Sequence, residues 1–337
     1  MQEEQRKRIT KLIQTLNKHY GEKSVFIAGE NKENLSVDWI STGSYLIDLI
    51  TGGGIPRGRF TEIFGPESSG KTTLSLMTIA EAQKQGLVAG FINKEESLDL
   101  CWAEQLGVKI DNLVVASSFS GEIALELLYK MVESGEFGII VVDSVASLTP
   151  TKEIEQEFGD PNMGTGLAKL MNQAMRKLVA ITAKANTAVV FINQVRDNVG
   201  VMYGNKDVTP GGRALKFFSS VRLKVSKGKI FENKLKEPVG HEINVKCEKN
   251  KLARPLKKAV VHFYYDGYID KVHEILTIGL QYNIIKRRGA YYDIYGESFQ
   301  GRESLQEYLQ TNPEVQQRIF KEALESGEID ILNAYED

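Results

Sequence analysis

The sequence predicts an α/β fold with a mostly parallel central sheet, and three observations carry that prediction. Between residues 36 and 268, short and nearly unbroken apolar runs alternate with helical stretches. One run opens into a glycine-rich loop that leads straight into a helix, and another ends in an aspartate. Strands covered by helices on both faces read as continuous apolar runs, whereas half-exposed strands alternate.

The chain begins with an amphipathic helix, in which Ile9, Leu12, Ile13, Leu16 and Tyr20 recur at helical spacing and Gly21 supplies the stop. A single helix cannot bury its own apolar stripe, so it must dock on the core or on a neighbouring copy. The apolar runs 59–64, 87–92, 113–116, 138–142 and 188–192 follow, each expected to be a parallel strand covered on both faces. Segments 221–225, 243–247 and 260–265 alternate more and predict an antiparallel extension. Beyond Gly267 the pattern changes. Val272, Ile275, Leu276 and Gly279 mark a helix, 290–295 a short hairpin arm, and 303–309 and 313–326 two further helices, with Pro313 at a helix start. These last elements form a small C-terminal α/β domain.

Hydrophobic and charged contents of 42% and 26% are those of an ordinary globular chain. Net charge is −2, but residues 222–258 hold twelve Lys and Arg against four Glu, and residues 322–337 hold six acids and no Lys or Arg. That asymmetry suggests a basic binding surface and an acidic tail. Cys101 and Cys247 are far apart, which argues for a reducing compartment and against a disulfide framework or zinc site. His19, His241, His262 and His273 lack metal-ligand spacing. No apolar run approaches the roughly 20 residues that span a bilayer, so a cytoplasmic protein with no membrane partner is expected.

Gly65-Pro66-Glu67-Ser68-Ser69-Gly70-Lys71-Thr72, followed by Thr73, matches G-x-x-x-x-G-K-[ST] between a strand and a helix. The glycines let backbone N–H groups point at the phosphates of a nucleotide, Lys71 neutralises their charge, and Thr72 offers a hydroxyl to Mg²⁺. The run ending in Asp143-Ser144 places a carboxylate where it can hold that Mg²⁺ through water. Hydrolysis also needs a group that activates water. Glu95 lies just past the run ending at Ile92, and neighbouring Glu96 competes with it on chemistry alone. Gln194 closes another strand, is placed to contact a γ-phosphate, and precedes a Gly-rich polar loop.

The segments GPESSGKTTL, VVDSVASLTP, QAMRKL, FINQVR and GGRALKF, in this order and spacing, resemble the RecA family of bacterial homologous recombinases from about residue 5 to about 325. The resemblance implies a RecA-type P-loop ATPase core over 36–268, an oligomerisation helix and strand over 1–35, and a DNA-capture domain with a short acidic tail over 269–337. It implies ATP and Mg²⁺ as ligands and selects Glu95 as the base, with Lys71 and Gln194 as catalytic partners. Asp99 and Trp102 fall at the nucleotide site, Trp102 where the family commonly has a Tyr near the adenine. Two DNA loops map to 157–166 and 197–212, with Met163, Arg176, Arg196, Val199, Gly211, Gly212 and Arg213 as contacts to single-stranded DNA. Lys249 and Lys251 match lysines that reach the ATP of the next subunit, and Lys216 and Phe217 fall at the subunit interface. Single-stranded DNA, homologous duplex DNA, further copies in a helical filament, and repressor proteins are the implied partners.

One segment departs from the family, which usually reads Asp-Ala-Glu-His where this chain has Asn93-Lys94-Glu95-Glu96. Lys94 puts a positive charge beside the base and weakens it, unless Glu96 pairs with Lys94. Slower or differently regulated hydrolysis is the expectation. The first DNA loop carries one extra residue near Thr165. Two readings of another kind are an ATP-binding mediator or paralogue that does not exchange strands, and a ring helicase on the same core. The complete DNA loops with Lys249 and Lys251 favour a strand-exchange enzyme over the first, and the N-terminal helix with GGRALKF favours it over the second.

Overall fold

The structure, a computed structural model, describes residues 3–21, 24–30, 36–96, 98–156, 166–197 and 207–333. It divides into two compact units, Met1–Asp38 and Trp39–Asp337.

The first unit is built on helix α1 (Glu3–Tyr20), which has Glu3 and Glu4 in its first turn and Lys18 and His19 in its last, matching the helix dipole. Gly21 ends it with φ +108°. Asn17 then clasps the returning chain, donating to the Val25 carbonyl at 2.9 Å and accepting from the Val25 N–H at 2.8 Å. Arg6 pairs with Glu30.

The second unit holds an eight-stranded sheet with strands β1 (Phe60–Gly65), β2 (Val88–Asn93), β3 (Leu113–Ser117), β4 (Phe137–Asp143), β5 (Ala188–Gln194), β6 (Val221–Glu232), β7 (Pro238–Asn250) and β8 (Lys258–Tyr264). Their order across the sheet is β8-β7-β6-β1-β5-β4-β2-β3. From β6 to β3 every pairing is parallel, whereas β7 and β8 add on antiparallel. In chain order, the helices around the sheet are α2 (Tyr45–Thr51), α3 (Lys71–Lys84), α4 (Leu100–Gln105), α5 (Gly121–Ser134) and α6 (Gly166–Ala185). One apolar layer joins α2 and α3 to one face of the sheet, and a second joins α5 and α6 to the other.

Two elements differ from the sequence expectation. Strand β3 is not covered on both faces: it is the outer strand, and Val114 and Val115 are 45% and 43% exposed. A local apolar run cannot say how many neighbours a strand will have. The arm at 290–295 is the middle of a three-stranded sheet, Lys286–Arg288, Tyr291–Ile294 and Glu297–Gln300. Its second turn is tight, because Tyr295 (φ +50°) and Gly296 (φ +92°) both adopt the left-handed conformation that a two-residue hairpin requires.

After the large sheet come α7 (Lys271–Gln281), α8 (Arg302–Thr311) and α9 (Pro313–Asn333). Helix α7 is tied to the core by Glu274, which is fully buried and accepts from the Ser44 hydroxyl at 2.5 Å and the Tyr45 N–H at 2.8 Å. Burial pushes this carboxyl up to about 8 against those hydrogen bonds. Among the described residues no helix is long and apolar enough to cross a membrane.

Candidate nucleotide site and its surroundings

The carboxyl ends of β1, β2, β4 and β5 meet at one edge of the sheet, where open α/β sheets place ligands. Registry fixes the pairing there: Gly65 lies opposite Gln194, and Asn93 opposite Asp143. The loop from Gly65 to Thr72 needs its glycines for two separate reasons. A Cβ on Gly65 would sit 1.9 Å from the Val225 carbonyl oxygen of β6. Gly70 caps α3 with φ +93°, and a Cβ there would press on Ile243.

Helix α3 also differs from its neighbours at its start. Ser44, Asp99, Ser120 and Asp270 cap α2, α4, α5 and α7 with side-chain hydrogen bonds, whereas Gly70 offers none. The first-turn N–H groups of α3 are therefore left to face an anion. Ser69 Oγ is buried in the same loop with no hydrogen-bond partner among the described residues. Pro66, Glu67 and Ser68 are exposed at the rim, Ser68 with φ +53°. Lys71 is 8% exposed and donates to the Pro66 carbonyl at 2.5 Å. Desolvation lowers its ammonium from the ordinary value, opposed by Asp143, Glu95 and Glu67. A loop with uncapped N–H groups, an unpartnered hydroxyl and a desolvated cation fits a polyphosphate.

The acids stand opposite. Thr72, the residue before Thr73 in the first turn of α3, donates its hydroxyl to Asp143 at 2.8 Å. Asp143 is 2% exposed, and burial raises its carboxyl to about 6, with Thr72 and Lys71 pulling it down. A hydroxyl and a desolvated carboxylate at that separation form a donor set suited to Mg²⁺. Glu95 follows the end of β2, where the Lys94 and Glu95 N–H groups both bind the Asp143 carbonyl. Its carboxylate accepts from Ser144 Oγ at 2.5 Å, Gln194 Nε2 at 2.9 Å and Ser147 Oγ at 3.4 Å. None of these bonds goes to Glu96, which is exposed with φ +55°. Lys94 forms no ion pair with Glu96 among the described residues. Asp99 caps α4 by accepting from the Trp102 N–H, and the Trp102 ring packs edge-on to Phe263 of β8 at 6.0 Å.

Lys249 and Lys251, at the end of β7 and just past it, bind the carboxyl end of a short helix, Ala214–Phe218. Lys249 Nζ donates to the Lys216 carbonyl at 2.5 Å and the Phe217 carbonyl at 3.0 Å, and Lys251 Nζ to the Phe217 carbonyl at 3.1 Å. Burial, then Lys251 and Arg222, bring the Lys249 ammonium down to about 8, with Glu62 acting the other way. The Phe217 side chain is 68% exposed.

The expected DNA contacts are placed unevenly. Gly211 (φ +86°) and Gly212 (φ +73°) lie against α6, where added Cβ atoms would meet Met171 and Ala168. With Pro210, Thr149 and Glu153 they line a cavity of about 350 Å³. Arg213 is exposed just before the short helix. Arg176 is two turns further along α6, about 12 Å of helix rise from Ala168, and lines a different groove with Glu122 and Tyr129 of α5. Arg196 belongs to a two-residue strand paired with Asp207–Val208. Met163 and Val199 lie outside the described residues, as does the acidic end at 334–337.

Sequence reasoning missed two features of this edge. Ser147 hydrogen-bonds the Glu95 carboxylate and was not singled out, although it lies within VVDSVASLTP. Glu62, Arg222 and Asn193 form a buried polar network, with Glu62 Oε2 bound by Arg222 Nε at 2.5 Å and Glu62 Oε1 by Asn193 Nδ2 at 3.0 Å. Its signal was available, since a glutamate inside the apolar run Phe60–Gly65 needs a partner.

The chain matches the model for the RecA N-terminal domain over residues 7–270 and that for the RecA C-terminal domain over residues 273–326. It is 46% identical to Protein RecA of Thermus aquaticus over 340 residues, covering 100% of this chain and 99% of that one. It is likewise 46% identical to Protein RecA of Macrococcus caseolyticus, covering 94% and 89% of the two chains, and 43% identical to Protein RecA of Legionella pneumophila, covering 100% and 98%.

Proposed function

The chain belongs to the RecA family, and from that premise we propose that it is an ATP-dependent recombinase that assembles as a helical filament on single-stranded DNA and exchanges strands with a homologous duplex. The observation that carries this reading is the convergence of Lys71, Thr72, Asp143, Glu95 and Gln194 at one sheet edge, with Asn193 beside Gln194 bonded to the Pro210 carbonyl next to Gly211–Gly212. Lys71 and the N–H groups from Glu67 to Thr73 would hold the phosphates, and Thr72 and Asp143 would hold Mg²⁺. Mg²⁺, when bound, supplies positive charge to the β- and γ-phosphate oxygens. Glu95, oriented by Ser144 and Gln194, takes a proton from the attacking water. Asp99 and Trp102 border the base of the nucleotide.

Lys249 and Lys251 act on the ATP of an adjacent copy, which makes hydrolysis conditional on assembly. Lys216 and Phe217 then lie at the junction between copies, and α1 with the strand expected after it over 1–35 docks on the neighbour. Head-to-tail contacts that do not close give a helical filament. Arg176, Arg196, Gly211, Gly212 and Arg213, with Met163 and Val199, hold single-stranded DNA, the two apolar residues as wedges between bases. Residues 36–268 form the ATPase core and 269–337 the part that captures duplex DNA. Work in the cytoplasm, DNA repair and stimulation of repressor self-cleavage in the SOS response complete the proposal.

The test is ATP hydrolysis at fixed moderate salt, with and without excess single-stranded DNA. Strong stimulation that disappears in Glu95→Gln is expected. ATP binding with negligible hydrolysis in the presence of DNA would instead favour a mediator that binds DNA and another recombinase, its motor disarmed at Asn93–Lys94–Glu95–Glu96.

A further inference from the structure

Three adjacent strands place a charged or polar side chain in the interior of the sheet, where apolar residues would pack more simply. Glu62 of β1 and Asn193 of β5 are fully buried, and Arg222 of β6 is 8% exposed. Glu62 divides its carboxylate, one oxygen to the Asn193 amide and the other to Arg222. Arg222 lies opposite Glu62 in the parallel ladder and opposite Lys249 in the antiparallel one. It also stacks on the Phe64 ring at 4.4 Å and approaches Glu248, next to Lys249, at 3.9 Å.

The ends of this network are not arbitrary. Asn193 Nδ2 also donates to the Pro210 carbonyl at 3.1 Å, and Asn193 Oδ1 accepts from the Gln194 N–H at 3.0 Å. One amide therefore holds the backbone of the residue that binds Glu95 and the backbone of the segment that leads to Gly211 and Gly212. At the other end, Arg222 and Glu62 act with opposite signs on the Lys249 ammonium. Buried ion pairs are often replaceable by apolar residues of similar shape without loss of stability. Stability alone does not account for the placement of this one.

We propose that the buried Glu62 carboxylate, shared between Asn193 and Arg222, is a positioning group that couples Gln194 and the base of the 207–212 segment to the strand carrying Lys249. The inference rests on the proposed ATP-dependent engagement of DNA and specifies how that site is regulated. Glu62 touches neither phosphate nor DNA. It sets whether the γ-phosphate contact, the DNA segment and the lysine strand change position together.

The full-length chain carrying both Glu62→Gln and Arg222→Met removes the two charges together and keeps their approximate shape. A second variant, Asn193→Ala, leaves the ion pair in place and cuts the links to Pro210 and Gln194. Affinity for a fluorescent ATP analogue reports the nucleotide site. Single-stranded DNA affinity, measured by anisotropy with a non-hydrolysable ATP analogue and again with ADP, reports coupling as a ratio. Both variants are expected to bind the fluorescent analogue as the parent does and to lose about tenfold in the DNA-affinity ratio, a typical size for coupling between sites. A merely structural network predicts that the doubly substituted chain, or Asn193→Ala if that chain does not fold, keeps the parent ratio, and this result would overturn the proposal. A parent chain whose DNA affinity ignores the nucleotide would overturn the proposed function and this coupling with it.

Discussion

At the carboxyl edge of the parallel strands, functional side chains hold one another: Thr72 binds Asp143, Gln194 and Ser144 bind Glu95, and Lys71 sits desolvated beside both acids. At the end of β7 the arrangement is different. Lys249 and Lys251 rest on the backbone carbonyls of Lys216 and Phe217, against the negative end of a five-residue helix, beside a phenylalanine that is mostly exposed. The first region is complete within one chain. The second holds its cations on the carbonyl end of a short helix and its aromatic ring largely in solvent, an arrangement open to a partner. On the proposed function, nucleotide binding belongs to the single chain and acceleration to the assembly.

Removing the second region's charge should give the largest effect. Lys249→Met is expected to lower DNA-stimulated hydrolysis by about 10³-fold, the scale of an arginine-finger contact, while ATP binding measured by fluorescence stays intact. Loss of ATP binding in this variant would place Lys249 in its own chain's site and erase the contrast. The same lysine predicts a pH dependence. Its ammonium, brought down to about 8, loses its proton as pH rises through that value. Stimulated hydrolysis should therefore decline between pH 7.5 and 9 in the parent and decline less in Lys249→Arg, since a guanidinium stays charged throughout. Parallel profiles would show that the Lys249 charge is not what titrates.

A third effect lies away from both regions. Glu274 is held protonated up to about 8, whereas the carboxyl of the unfolded chain titrates near its ordinary 4.5. The folded chain thus keeps a proton that the unfolded chain has lost, so stability falls as pH rises from about 4.5 to 8. Urea midpoints at pH 5.5 and 8 should differ less for Glu274→Gln, which is neutral at both, than for the parent. An equal difference would mean that α7 is not held through a protonated acid. The smallest effect belongs to Lys94. Lys94→Ala should raise the stimulated rate a few-fold by removing a positive charge beside Glu95. An unchanged rate would mean that Ser144, Ser147 and Gln194 govern that carboxylate regardless of its charged neighbour.

The two regions also differed in how far the sequence alone revealed them. The phosphate edge was legible because its requirements are local: Gly65 and Gly70 at fixed spacing, Lys71 and Thr72 after them, and an apolar run ending in Asp143. Gln194 and Glu95 could be placed at the same edge because parallel strands share a carboxyl side. The hydrogen bond between them joins residues 99 apart in sequence, and no spacing announces it. By composition Lys249 looks like any other lysine in a basic stretch; only the family resemblance marked it, and its ladder position opposite Arg222 had to come from the structure. Sheet order was hidden for the same reason. The apolar run at β3 reads like that of β4, yet one is an edge strand and the other is central.

Mixing two disabled chains tests the central claim most directly. Glu95→Gln keeps Lys249 but lacks the base, and Lys249→Met keeps the base but lacks the lysine. Equal amounts assembled on single-stranded DNA should recover about a quarter of the parent hydrolysis rate, because one junction in four then joins an intact base to an intact lysine. A mixture no more active than its two components would contradict the account, placing both groups in the same chain's site.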